Sequence, residues 1–266
     1  MLALRGAVSR FFAADGFFLG AGLAFFGLIT LIPLVLLGVS SLGFVLTGED
    51  AANEVIGQLA RNFPVYRREV RAVLLGIIET RAQTGVLGTI ILIVFSTPLL
   101  SSSRLVMHRL LGIKMPSSFV RNLFVDSGMV LLLSVLLFGA TAATWFYAWF
   151  QTFVLEPANL ASRWMNAANV GFSMALSTAM LYLGYRYVPR RGIRTSAALS
   201  GAIVASILWE IAKQLFALYI RKVGVYDQIY GPLGVLIAFV MFVYYSAVVF
   251  VFGGAWVAAI DGRRRR

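Results

Sequence analysis

Residues 16–46 form an apolar run of about thirty residues, broken only by Pro33. That exceeds the roughly 20 apolar residues a helix needs to cross a bilayer. In hydrocarbon every backbone N–H and C=O must be satisfied within the segment, so a run of this kind is driven to be an α-helix. A cleaved signal peptide has a shorter apolar core followed by a small-residue cleavage site, so the run reads as a first span with an uncut N-terminus behind the short basic stretch carrying Arg5 and Arg10. Pro33 removes one helical hydrogen bond and is expected to kink the span. Gly16-x-x-x-Gly20 offers a close-packing face; as the seam of a homo-oligomer it is a weak signal, and such motifs more often serve packing within one chain.

The rest of the sequence repeats the theme. Of 266 residues, 60% are hydrophobic and 13% charged, and the mean hydropathy is +0.85, outside the range of a soluble domain. Further apolar runs at 85–103, 122–149, 167–188, 196–220 and 231–260 predict an all-α polytopic membrane protein with six transmembrane helices, folded as a single transmembrane domain over 1–266. Pro98 is expected to kink the second span. Between the first two spans, residues 50–81 are different in kind. Thr47 and Asp50 are spaced as a capping box, and two sets of apolar residues recur at helical spacing on either side of Pro64. They predict two extracytoplasmic amphipathic helices, and across the loop 47–84 five Arg and five acids cancel and leave no net charge to attract anionic lipid.

The formal net charge of +12 raises the question of nucleic acid, and its distribution answers it. With Arg186 at the end of the fourth span included, fourteen Lys and Arg fall at the termini and in the loops 104–121 and 189–194, whereas the opposite loops hold eight. By the positive-inside rule both termini are cytoplasmic, with anionic headgroups as partners of the basic clusters. No basic cluster interleaves exposed aromatics in a soluble module, so nucleic acid is not expected as a partner. The chain has no Cys and one His, which leaves no thiolate, zinc or di-iron site, and neither a metal nor a cofactor is expected. His108 lies in the basic stretch 104–121 and reads as a solvated loop residue.

Polar residues at membrane depth are the informative exceptions, since an ionisable side chain there needs a partner. The fifth span carries Glu210 and Lys213, three residues apart and on one helical face, so each can neutralise the other. Counted from Ser196 at 1.5 Å per residue, they lie about 21 and 25 Å along the axis, in the outer third of the hydrocarbon, where Lys213 can snorkel outward. The candidate substrate-binding set is Glu210, Lys213, Gln214, Tyr219, Tyr226 and Tyr230. The competing explanations are a self-neutralised packing pair and an interfacial aromatic belt.

Taken together, several motifs resemble the YihY/BrkB family of bacterial inner-membrane proteins along nearly the whole length. They are Gly22-Leu23-Ala24-Phe25-Phe26, Leu31-Ile32-Pro33-Leu34, Tyr187-Val188-Pro189, Trp209-Glu210 with Lys213, Phe216-Ala217-Leu218-Tyr219, and Tyr226 with Ile229-Tyr230-Gly231 and Leu233-Gly234. The resemblance implies a six-helix membrane protein. Members have carried the label ribonuclease BN and have been linked to virulence or to envelope lipid export. One departure is Gly254-Ala255-Trp256, where the family commonly has Gly-Ala-Glu. Phosphodiester hydrolysis needs a carboxylate cluster for metal or a pair of histidines, and neither is present, so ribonuclease activity is not expected. No nucleophile elbow or Walker motif appears, no catalytic residues are assigned, and Gly253-Gly254 fits helix packing.

Gly85-Val-Leu87-Gly88 and Gly231-Pro-Leu233-Gly234 open the second and sixth spans alike, a weak sign of parallel repeats. The expected function is transport or flipping of an amphipathic or anionic envelope component, a lipid or small molecule, with no enzymatic activity. The alternative is a non-transporting scaffold or lipid-binding protein that uses the amphipathic helices as its contact surface.

Overall fold

The apolar runs fold as helices because nothing else satisfies their backbone in lipid. The computed structural model describes residues 2–45, 81–113, 162–189, 192–223 and 231–263. Among these the order is α1 (Leu2–Ala13), α2 (Gly16–Val45), α3 (Arg81–Leu111), α4 (Ser162–Tyr187), α5 (Thr195–Val223) and α6 (Gly231–Arg263), with no strand. The expected third span, most of the expected amphipathic helices, Tyr226 and Tyr230 lie outside the described residues. Pro33 and Pro98 sit inside the continuous helices α2 and α3. Thr195–Phe216 of α5 and Leu236–Gly262 of α6 are each long and apolar enough to cross a membrane.

Contacts fix the directions of the helices. Gly20 approaches Val248 and Gly27 approaches Val243, so α2 and α6 are antiparallel. Leu99 packs by Ala247 while Met107 meets Gly254, so α3 runs parallel to α6. Gly201 abuts Val257 and Phe216 meets Phe242, so α5 opposes α6. Lys213 reaches Ser173 and Ser206 reaches Met174, which pairs α5 with α4 as a helical hairpin. Consequently α2 and α5 start at one end of the bundle, here termed the base, where α3, α4 and α6 finish. Because α3 and α4 both finish at the base, they run parallel.

Among the described residues the base is the best-filled part. Helices in lipid gain little from hydrophobicity and hold together by close packing and hydrogen bonds. Here Ala197, Ala198, Ala202 and Ala205 of α5 are buried in one cluster with Met107 of α3, Tyr185 of α4 and Val249 and Val257 of α6, and a Cβ on Gly201 would stand 2.9 Å from the Gly253 carbonyl oxygen. Tyr185 fills the gap beside this crossing, stacking on Phe250 and donating its hydroxyl to the Phe250 carbonyl at 2.9 Å. The glycines of the last span thus serve packing, as their sequence setting implies.

Two expectations need correction at the base. The first part of the expected loop 104–121 is helix: α3 continues to Leu111, because Val106, Met107 and Leu110 remain apolar at helical spacing and are buried, and residues 114–121 lie outside the described residues. The helix stops at Gly112, whose φ of +65° lets Gly112 N–H reach Arg109 O and Ile113 N–H reach His108 O, a Schellman ending. His108 is therefore not solvated but 1% exposed. Arg104, also buried, donates from Nε to the Val188 carbonyl at 3.3 Å. It thereby ties the end of α3 to the turn where Pro189 closes α4.

The residues before the first span are not merely a basic lead. They form α1, bent by 70° from α2. The break falls at Asp15, at φ +55°, a left-handed conformation that costs most L-residues about 1–2 kcal/mol but suits Asp. Its carbonyl accepts from Leu19 N–H to start α2, and its carboxylate pairs with Arg109 at 3.2 Å in an exposed setting. Asp15→Asn or Asp15→Gly should therefore be tolerated, whereas Asp15→Val should lower stability by about 1–2 kcal/mol, the left-handed cost, since exposed ion pairs contribute little. Thermal unfolding of the three variants in detergent checks this ordering.

Candidate functional site

The fifth helix presents two unlike flanks. One holds Ser206, Glu210 and Lys213, spaced by four and three residues and turned to α4. Lys213 Nζ lies 2.6 Å from Glu210 Oε2 and 2.6 Å from Ser173 Oγ of α4. The side chain of Glu210 is 17% exposed and that of Lys213 32%. Lys213 thus does not extend along the helix toward water; it turns sideways into the helix pair. Glu210 Oε2 is held by charge at ion-pair distance, without hydrogen-bond alignment to any group in the described structure. An ion pair at this depth gives up hydration, and the Ser173 contact recovers part of it. One step further down, Ser206 Oγ donates to the Met174 carbonyl at 3.1 Å. Ser173 and Ser206 were not singled out from the sequence. The signal available was a small polar residue in each of two consecutive spans, which carries no information until the register is known.

The other flank faces α6 and is apolar. Ala212, Leu215, Phe216 and Tyr219 of α5, with Ile237, Ala238, Met241, Phe242 and Tyr245 of α6, line an open groove of about 390 Å³. That is within the usual size range of ligand pockets. Phe216 and Trp209 pack on Phe242, at centroid distances of 4.8 and 5.4 Å. The candidate residues are therefore divided. Glu210 and Lys213 stand together against α4, Tyr219 lies in the groove against α6, and Gln214 is exposed between the flanks. Neither Glu210 nor Lys213 lines the groove.

Among the described residues no three His, Asp or Glu side chains converge as metal ligands. Trp256, where the resembled family commonly has an acid, has its indole N–H buried without a hydrogen-bond partner in the described structure.

The sequence model for "Virulence factor BrkB" matches residues 7–266. Curated relatives carry the name UPF0761 membrane protein. One from Chlorobium chlorochromatii is 31% identical over 249 residues, 91% of this chain and 56% of the relative. One from Azotobacter vinelandii is 26% identical, covering 96% of this chain and 62% of the relative. One from Pseudoalteromonas atlantica is 23% identical, covering 93% and 82%. This chain thus spans little more than half the length of the Chlorobium protein. No solved structure matches the chain.

Proposed function

Since the chain belongs to the BrkB family of membrane proteins, we propose that it binds an amphipathic or anionic component of the bacterial envelope and moves it across the inner membrane. α5 is the helix that the substrate follows. The observation carrying this reading is the division of α5 into a charged flank and an apolar groove at the same height. An amphipathic molecule needs a dry surface for its tail and compensated polarity for its head, and a packing helix needs neither an open groove nor a buried ion pair. The topology in this reading is six spans with both termini cytoplasmic. A span between α3 and α4 then accounts for their parallel course, and α2–α3 and α5–α6 form two hairpins of the same sense.

The second reading, a membrane protein that holds lipid without moving it, is favoured by one specific fact: the groove does not reach Glu210 or Lys213. Filling the groove separates the two. Ala238→Phe should remove lipids that co-purify with the wild type, read by native mass spectrometry. For a transporter it should also stop transbilayer movement of a headgroup-labelled phospholipid in proteoliposomes. A wild type that binds lipid but moves none establishes the holder, and a variant that retains its lipid removes the groove from either reading.

A further inference from the structure

We propose that α1 lies in the bilayer interface at the base of the bundle and inserts the flank formed by Leu4, Val8 and Phe12 among the lipid acyl chains. These three residues recur every four positions and are all exposed, Phe12 by 61%. The opposite flank is spoken for: Ala7, Phe11 and Ala14 are buried, Phe11 sits against Phe252 of α6, and Arg10 donates to the Leu110 carbonyl of α3 at 3.2 Å. α1 is therefore fixed to the bundle along one side while an apolar row stays uncovered along the next.

Three observations identify the bilayer as what covers that row. The first is direction. With α2 as a span, a bend of 70° sets α1 much closer to the membrane plane than to its normal. The second is continuity. Phe12 meets Phe17 edge-on at a centroid distance of 6.0 Å, and Phe17 and Phe18, the latter 78% exposed, lie on the outer surface of α2 where its span begins. The surface covering Phe17 and Phe18 is hydrocarbon, and the row on α1 is its extension. The third is the polar boundary. Arg5 and Ser9 are exposed on the side of α1 beyond the row, and Arg109 is exposed at the bend, so the apolar strip is edged by residues suited to headgroups and water. An apolar face, a cationic margin and a helix parallel to the surface are the attributes of an interfacial helix.

The chain lacks cysteine, so single-cysteine variants of the full chain can be spin-labelled without background. Val8→Cys, Phe12→Cys and Ser9→Cys, reconstituted in phosphatidylethanolamine–phosphatidylglycerol vesicles, are compared for relaxation by oxygen, which concentrates in lipid, and by a water-soluble nickel chelate. Labels at Val8 and Phe12 should show a several-fold higher oxygen-to-nickel ratio than the label at Ser9. Nickel access at Val8 and Phe12 equal to that at Ser9 places the row in water and overturns the proposal. Exclusion of both reagents places it against protein, such as a second copy, and overturns it equally. Leu4→Cys gives an independent reading should a label at Phe12 disturb the bend.

Discussion

Gly201→Val should prevent α5 and α6 from closing at the base and lower stability by about 3 kcal/mol or more, the upper end of overpacking costs. A Cβ at position 201 meets the Val257 side chain and stands 2.9 Å from the Gly253 carbonyl. The side chain can rotate away, but the carbonyl belongs to helix backbone and cannot. Separation of the helices by even a fraction of an ångström also loosens Tyr185, whose hydroxyl has its acceptor on α6, and a lost hydrogen bond adds about 1 kcal/mol. Gly171→Ala is the control. It lies in α4 with nothing within 4 Å of its Cβ, so it should be neutral or stabilising by up to about 1 kcal/mol. Thermal unfolding in detergent and yield after solubilisation report both. Equal behaviour of the two variants would show that the base is not held by close approach of backbones.

The difference between these glycines could not be read from the sequence. Glycine in a membrane helix signals close packing somewhere, but which glycine faces a neighbour depends on the rotation of both helices, a tertiary quantity. The helices themselves were legible: residues 16–46, 167–188, 196–220 and 231–260 fall on α2, α4, α5 and α6 to within a few residues, because hydrocarbon thickness and backbone satisfaction leave one solution. The error at Arg104 and His108 has the complementary cause. A charge count ends a span where lipid ends, whereas a helix ends where its hydrogen bonding is closed, and at the base that is Gly112. The site was half legible. The Glu210–Lys213 pairing follows from helix geometry alone, while Ser173, on another helix 40 residues away, and the separation of Tyr219 from the pair follow from how α4, α5 and α6 meet.

Glu210→Gln should abolish movement of a headgroup-labelled phospholipid in proteoliposomes and also destabilise the protein, and the two effects can be pulled apart. Removing the carboxylate leaves the Lys213 ammonium, two-thirds buried, with Ser173 Oγ as its remaining neighbour. Breaking a fully buried pair costs about 3–5 kcal/mol, and the partial exposure of Lys213 reduces that to about 2 kcal/mol. The double variant Glu210→Gln/Lys213→Met removes both charges, and replacement of a whole buried pair by apolar groups is commonly neutral or stabilising. Stability should therefore return in the double variant whatever the pair does. Activity decides its role. If the pair only neutralises itself within the bundle, movement returns together with stability. If the charges handle the polar part of a substrate, the double variant unfolds at the wild-type temperature and moves nothing. The second outcome is expected, because the hydrogen bond from Ser206 to the Met174 carbonyl joins α5 to α4 without the pair, and an ion pair that gives up its hydration there adds little to stability on its own.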